Sequence, residues 1–495
     1  MTPKAPSPFF RAFLAATMPR LYISATHKSS GKTTLCIGLC RELSRLGYRV
    51  QPFKKGPDYI DPLWLSQAAG RDCLNLDFNT MAPAEIRAAL SRRMVDVDLG
   101  LIEGNVGLFD ATDLAGSNSN AELAKLLETP VVLVVDVQGM SRGLAPLLLG
   151  YQAFDPGLRI AGLILNKVGG SRHEANLRRV VEHYTDLPML GAIHREMRPR
   201  IQERHLGLMP STESQEAEAQ IEDIRAMVAR QVDLDLLIRL AGSAPELAVE
   251  PPSRLVTRSE PEAPGRWPPG QGDRVRIGIA RDEAFGFYYP DDLEALEAAG
   301  ADLIPFSPVR DPDLPVVDGL FIGGGFPEYR MRELAANVAM RMAIRDFITA
   351  GGPAYAECGG LMYLCQGLRW GEDYAPMCGV LRAEVSIHER PQGRGYIRLR
   401  EREGFPWPRG PEDAREIQAH EFHHSAILDP DPDWVYGFEV LRGAGIDGRH
   451  DGILWRNLVA SYAHLRHVGG VNWPARFVAH VRRIVHPMSV SRPEP

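Results

Sequence analysis

The sequence predicts an α/β protein of two domains, the first built on a parallel sheet. Three observations carry this. The chain has 495 residues, more than one hydrophobic core usually serves, so two domains of about 200 residues or more are expected. Residues 20–242 and 274–485 each alternate short apolar runs with helical patterns, the rhythm of strands covered by helices. Between them, residues 243–273 (SAPELAVEPPSRLVTRSEPEAPGRWPPGQGD) are rich in Pro, Glu, Ser and Gly and have no hydrophobic period, as a linker would.

Composition narrows the class. Hydrophobic residues at 44% and charged residues at 24% are ordinary for a soluble globular protein. A net charge of −7 argues against a general nucleic-acid binder, and no apolar run reaches membrane-spanning length. Residues 1–19 read as a disordered leader, or as sequence upstream of a true start at Met18; an arginine interrupts its apolar stretch. Residues 486–495 read as a tail. The six cysteines (Cys36, Cys40, Cys73, Cys358, Cys365, Cys378) form no C-x-x-C pair. That fits a reducing compartment, so a cytoplasmic location is expected.

In the first half, RLYISA (20–25) is a strand and TTLCIGLCRELSRLG (33–47) an amphipathic helix. YRVQPFK, LGLIEG, PVVLVVD and IAGLILN read as further strands. The stretch ISATHKSSGKTT (23–34) joins the first strand to the helix and ends in Gly31-Lys32-Thr33-Thr34. Such a loop turns backbone N–H groups towards an anion, and the helix N-terminus adds its dipole. Thr26, Ser29, Ser30, Gly31, Lys32, Thr33 and Thr34 are the expected ATP-binding residues. Lys32 would reach the β- and γ-phosphates, and Thr33 or Thr34 would offer a hydroxyl to Mg²⁺. The loop opens on Ala25-Thr26 and lacks the first glycine of G-x-x-x-x-G-K-[ST]. The exchange costs little if Ala25 ends the strand in extended geometry, because only Gly31 and its neighbours approach phosphate closely.

Two stretches bring carboxylates to strand ends. FKKGPDYIDP carries Lys54, Lys55, Asp58 and Asp61 at a turn; LGLIEGNVGLFD places Glu103 at the end of a buried strand, with Asp110 beyond it. Strand carboxyl ends face the ligand crevice of an open α/β sheet. Magnesium on phosphates takes one or two carboxylates, so Thr33, Asp58 and Glu103 are the expected metal ligands. Asn166, at another strand end, could read a purine edge; helix capping explains it equally well.

In the second half, RVRIGIA is a strand, PDDLEALEAAG a helix, and VVDGLFIGGG a strand into a glycine turn. AYAECGGLMYL then sets Cys358 between a strand and an apolar helix, followed by Gly359-Gly360. This is the pattern of a nucleophile elbow. A thiol at a helix N-terminus has more thiolate at neutral pH. The N–H groups of Gly359 and of Gly324, in FIGGGFPE, are the expected oxyanion donors. The expected base is His464 in NLVASYAHLRH, with His467 as competitor. HEFHH (420–424) matches H-E-x-x-H, but its flanks alternate like a strand, whereas a zinc pair of that spacing needs a helix.

These residues resemble the cobyrinate a,c-diamide synthase family over about 20–485. FKKGPDYIDP, IEGNVGLFD, RHLGLMPSTE, ARDEAFGFYYPDDLE, FIGGGFPE, YAECGGLMYL, HEFHHS and ASYAHLRH match its blocks in order. The resemblance implies a dethiobiotin synthetase-like P-loop domain followed by a class I glutamine amidotransferase domain. It implies a carbon–nitrogen ligase: Cys358 and His464 release ammonia from glutamine, and the first half uses Mg-ATP to phosphorylate a tetrapyrrole carboxylate that ammonia then amidates. Asp58, Tyr59, Glu103 and Asp110 match residues at that synthetase site.

The chain departs from the family at Ala25-Thr26, at Lys55, where a hydrophobic residue is usual, and around HKSSGKTT and GNVGLFDATDLAGSNSN. His464 is followed by Leu465-Arg466, so the H-x-E glutamate of other class I glutaminases is absent, and a Cys–His pair is expected to suffice. The altered loops are similar to a branch that amidates sirohydrochlorin or siroheme. Cobyrinate or hydrogenobyrinate is the first expected substrate and that branch the alternative. From another class, the rival is a P-loop switch ATPase with a non-catalytic second domain. The expected partners are a tetrapyrrole and glutamine, with a homodimer left open and neither nucleic acid nor a membrane.

Overall fold

The computed structural model describes residues 18–195, 203–204, 207–211, 216–247, 274–411 and 413–486. The expected leader up to residue 17, the linker from residue 248 onward and the tail beyond residue 486 lie outside the described residues, as do His205, Leu206, Thr212 and Glu213 of the RHLGLMPSTE block. The chain divides into two compact units, Met1–Thr257 and Arg258–Pro495.

The first unit is ordered by a sheet of seven strands: β1 (Arg20–Ala25), β2 (Val50–Lys55), β3 (Leu74–Leu76), β4 (Leu99–Glu103), β5 (Val131–Asp136), β6 (Ile160–Val168) and β7 (Met189–His194). Their order is β3-β2-β4-β1-β5-β6-β7, with every pairing parallel. β1 is buried throughout and central. Its run of Leu, Tyr and Ile therefore has no polar face to show, as expected for a strand covered on both sides. The carboxyl ends of β1, β2, β4 and β6 carry the phosphate loop, Lys54, Glu103 and Asn166. A small pair, β8 (Glu203–Arg204) and β9 (Gly207–Leu208), stands apart from this sheet.

Among the described residues the second unit has thirteen strands: β10 (Val275–Ala280), β11 (Ala301–Phe306), β12 (Gly319–Ile322), β13 (Ala354–Glu357), β14 (Gly367–Trp370), β15 (Asp373–Pro376), β16 (Glu384–Ile387), β17 (Gly393–Glu401), β18 (Glu416–His423), β19 (Ser425–Leu428), β20 (Val435–Arg442), β21 (His450–Trp455) and β22 (Leu458–Ser461). Nine form one sheet, β11-β10-β12-β13-β22-β21-β20-β17-β18; β15-β14-β16-β19 form another. The first five strands of the large sheet run parallel and the rest antiparallel. Apolar clusters fill the unit; one contains Phe285, Ile344 and Tyr363, the other Tyr355, Trp473 and Phe477. Tyr355 stacks on Phe321 with ring centres 5.2 Å apart, which fixes the strand that ends in Glu357.

Candidate active sites

Each unit presents one site, at the carboxyl ends of its parallel strands. In the first unit, Ala25 is the last residue of β1, is fully buried, and pairs with Val134. The left-handed positions of the loop are Ser29 (φ 63°) and Gly31 (φ 92°). Neither Ala25 nor Thr26 has a positive φ, so the loop opens without need of a glycine there.

The loop is tied down at each step. Thr26 N donates to Val134 O, and Tyr151 Oη donates to Thr26 O at 2.7 Å. Ser30 Oγ donates to His27 O at 2.8 Å. Asn166 donates from Nδ2 to Ser30 O at 2.6 Å and accepts at Oδ1 from Lys167 N. Asn166 lies inside β6, so helix capping is not its role, and its amide braces the loop. Thr34 borders the same small cavity as Gly31 and Asn166.

Lys32 is buried, and its Nζ donates to Val106 O at 2.6 Å; burial holds its pKa below the usual lysine range, against the pull of Glu103. Thr33 Oγ1 donates to Glu103 Oε1 at 2.6 Å and lies 3.2 Å from Asp61 Oδ2. Lys54 joins the same acids, 2.5 Å from Asp61 Oδ2 and 2.9 Å from Glu103 Oε1. Burial works against the Lys54 ammonium, but Asp61, Glu103 and Asp58 together keep it well above the ordinary range. Burial raises the Glu103 carboxyl, and its Oε2 is buried with no hydrogen-bond partner among the described residues.

Asp61, rather than Asp58, is the acid of this turn that lies beside Thr33. Asp58 Oδ1 accepts from Ile60 N at 2.9 Å and Asp61 N at 3.1 Å, capping the helix Ile60–Ala69. Its Oδ2 stays 3.8 Å from Lys54. The acid that meets Thr33 is Asp61, which had no assigned role on sequence grounds. The exchange follows from the turn: an Asp just before a helix finds free amides, and the next acid, one residue into the helix, faces the loop. Tyr59, between them, is buried. Asp110 is exposed, and its Oδ2 accepts from Gly107 N at 2.8 Å. A Cβ on Gly107 would stand 2.9 Å from Thr26 O, so the turn that Asp110 closes presses on the phosphate loop. The hydroxyl of Thr33, the carboxylates of Asp61 and Glu103, and the orphaned Glu103 oxygen are the hard oxygen donors that Mg²⁺ takes.

In the second unit, Cys358 follows β13 and precedes the helix Gly359–Leu364. Its backbone sits at φ 48°, ψ −103°, a strained conformation for a residue with a Cβ. Cys358 N donates to Ser461 O at 2.7 Å, and Met362 N donates to Cys358 O. These bonds hold the elbow on β22 and on its own helix. The glycines exist for contact: a Cβ on Gly360 would lie 2.0 Å from Ile322 O, one on Gly359 3.0 Å from Gly325 O, and one on Gly324 2.5 Å from His464 Cε1. The 323–325 turn and the elbow are therefore pressed together beside the His464 ring.

His464 is the histidine at the thiol, and Cys358 acts on its proton. His467 is further along the loop, where its N donates to Asp292 Oδ1 at 2.6 Å. His464 Nδ1 lies 3.3 Å from Glu357 Oε2, and both side chains are buried. The other Glu357 oxygen accepts from Tyr355 Oη at 2.5 Å and from Leu465 N at 2.9 Å. Burial pulls the His464 imidazolium down, but Cys358 and Glu357 together prevail and lift it to about 10. The expected Cys–His pair is thus joined by a third side chain, Glu357. The H-x-E glutamate is absent from the sequence after His464, but Glu357, just before Cys358, lies at His464 Nδ1. Residues 357 and 464 meet because β13 and β22 are parallel neighbours, with Glu357 opposite Ser461; no local sequence signal marks that pairing.

The first four residues of HEFHH, His420–His423, are in β18, extended as their alternation suggested; His424 follows the strand. The run serves the same site. His464 N donates to His420 O at 2.8 Å, His420 N to His464 O at 3.4 Å, and Phe422 O lies 3.8 Å from Cys358 Sγ. Burial keeps His420 neutral, down to about 3.

Comparison with known proteins follows the same division. Residues 21–208 match the model of the CobQ/CobB/MinD/ParA nucleotide binding domain. Residues 276–470 match that of the CobB/CobQ-like glutamine amidotransferase domain. A Magnetococcus marinus protein named cobyrinate a,c-diamide synthase is 46% identical over 93% of this chain and 97% of its own. Proteins of the same name from Methanosarcina acetivorans (39% identical, 92% of this chain, 93% of theirs) and Archaeoglobus fulgidus (38%, 94% and 98%) are also similar.

Proposed function

The chain belongs to the cobyrinate a,c-diamide synthase family, and from that premise we propose that it is a glutamine- and ATP-dependent ligase that amidates carboxylates of a tetrapyrrole, cobyrinate by the name its relatives carry. The observation that bears most weight is the Cys358–His464–Glu357 chain, since a nucleotide domain of this type is shared with proteins of other functions.

In the second unit, glutamine would place its side-chain amide over Cys358. The thiolate attacks the amide carbon, and the N–H groups of Gly359 and Gly324 receive the oxyanion. Glu357 holds Nδ1–H of His464, so Nε2 faces the thiol and carries the proton that the leaving nitrogen takes. Water, activated by His464, then hydrolyses the thioester. One glutamine and one water give glutamate and ammonia.

In the first unit, the loop amides and Lys32 receive the ATP phosphates. Thr33, Asp61 and Glu103 are the residues that would hold Mg²⁺, whose charge offsets that of the phosphates. An oxygen of the substrate carboxylate attacks the γ-phosphorus, releasing ADP. Ammonia attacks the acyl phosphate carbon, and inorganic phosphate leaves. ATP thereby converts a poor acyl donor into a good one.

The test is direct. Purified protein with Mg-ATP and glutamine is offered cobyrinate, sirohydrochlorin or siroheme, and mass spectrometry follows the amide-for-acid change, about 1 Da per site. Amidation of cobyrinate is expected. Amidation of sirohydrochlorin or siroheme alone would change the macrocycle and keep the chemistry. ATP hydrolysis indifferent to glutamine, with no amide from any of the three, would sink the ligase reading in favour of a switch ATPase.

A further inference from the structure

Lys55 ends β2 one residue after Lys54, so the two side chains leave the strand on opposite faces. The Lys54 ammonium is surrounded by acids. Lys55 is not: it is 7% exposed, its Nζ donates to the neutral Asn105 Oδ1 at 3.2 Å, and among the described residues it forms no ion pair. A buried ammonium without a counter-charge is unfavourable. Burial pulls Lys55 down to about 8, with the more distant Asp77 acting against that pull.

Its surroundings are held in place. Asn120 Nδ2 donates to Asn105 O at 2.8 Å, Asn105 N donates to Asn120 Oδ1 at 3.2 Å, and Tyr22 Oη donates to that same oxygen at 2.8 Å. The residue after Asn105 is Val106, whose carbonyl takes the Lys32 ammonium. Two buried lysines therefore converge on adjacent residues of one loop. The one on Val106 belongs to the phosphate loop; the other forms no ion pair among the described residues.

We propose that Lys55 receives the substrate carboxylate that is to be phosphorylated, holding it beside the phosphate that Lys32 marks. This rests on the ligase reading. The ligand class is a carboxylate side chain of a polyacid macrocycle. Lys54 cannot serve in this way, because Asp61 and Glu103 already satisfy it.

The experiment is steady-state kinetics of the full chain, with free ammonia as nitrogen donor and whichever tetrapyrrole acid the wild type amidates, together with thermal melting. Lys55→Met should raise KM for the tetrapyrrole about 10- to 100-fold, the loss of one charge-assisted bond. KM for ATP should stay within about twofold. Tm should rise, since the uncompensated buried charge is gone. Asn105→Asp keeps Lys55 and gives it a fixed counter-charge, so it should weaken tetrapyrrole binding and also raise Tm. A KM increase confined to ATP would assign Lys55 to phosphate and overturn the proposal. Unaltered KM values in either variant would overturn it too; with a lowered Tm they would reduce Lys55 to a structural bond. A wild type that amidates no tetrapyrrole acid overturns this proposal and the ligase reading together. Wild-type turnover with unaltered variants overturns this one alone.

Discussion

The two sites solve the problem of buried charge in opposite ways. In the first unit, Lys54, Asp61, Glu103 and Thr33 satisfy one another in a network open at one end, where Glu103 Oε2 lacks a partner. In the second, the charge chain closes on itself: Glu357 is held by Tyr355 and Leu465, His464 by Glu357 and by backbone exchange with His420, and Cys358 is strained into place. The first arrangement suits a site completed by a charged ligand. The second suits covalent chemistry, where groups must be in place before substrate arrives.

The largest test separates the units. Cys358→Ala removes the nucleophile, so glutamine-dependent amidation should fall by about 10⁴-fold or more, while ammonia-dependent amidation stays within about twofold. Parallel assays with the two nitrogen sources check this; equal loss in both would mean that the sites do not divide the work.

Next in size is the open network. Glu103→Gln leaves Lys54 and Thr33 with a neutral partner, and amidation from free ammonia should drop about 10²- to 10³-fold. Labelling of Cys358 by a glutamine-derived alkylating analogue should persist. Loss of labelling would show that the substitution disturbs more than the first unit.

The third test sharpens the comparison through pH. Glu357→Gln should lower glutaminase kcat on the order of 10²-fold and move the alkaline limb of the pH profile to lower pH. The sign follows from His464, whose folded pKa of about 10 lies above the ordinary 6.5. The stability this shift contributes is fully present below 6.5 and is lost as pH rises through about 10. Removing the carboxylate weakens that hold, so the proton leaves at lower pH. A variant slowed to the same degree but with an unmoved limb would leave Glu357 as a packing residue.

What could be read from the chain was local. The phosphate loop, the elbow at Cys358, the acid at the end of β4 and the extended HEFHH run each depend on neighbours a few residues apart. Their periodicity and turn chemistry are written in one stretch. Even the tolerance of Ala25 was legible, since it depends on whether the strand has ended. What the chain left open lies at pairings between distant segments. Asp58 and Asp61 are equivalent on paper, and only the cap on the helix Ile60–Ala69 turns one away from Thr33. Glu357 resembles the end of any buried strand until β22 is laid beside β13.

The sequence by itself determined the α/β class and where the elbow at Cys358 and the loop before Lys32 fall, because strand-to-loop-to-helix segments carry their own backbone geometry. Only the tertiary structure decided which acid serves each site, and which lysine is compensated and which is not. A charge acts through space, over a few ångströms, and the sheet order that brings β2 to β4 and β13 to β22 is set by burial of apolar faces far from either site.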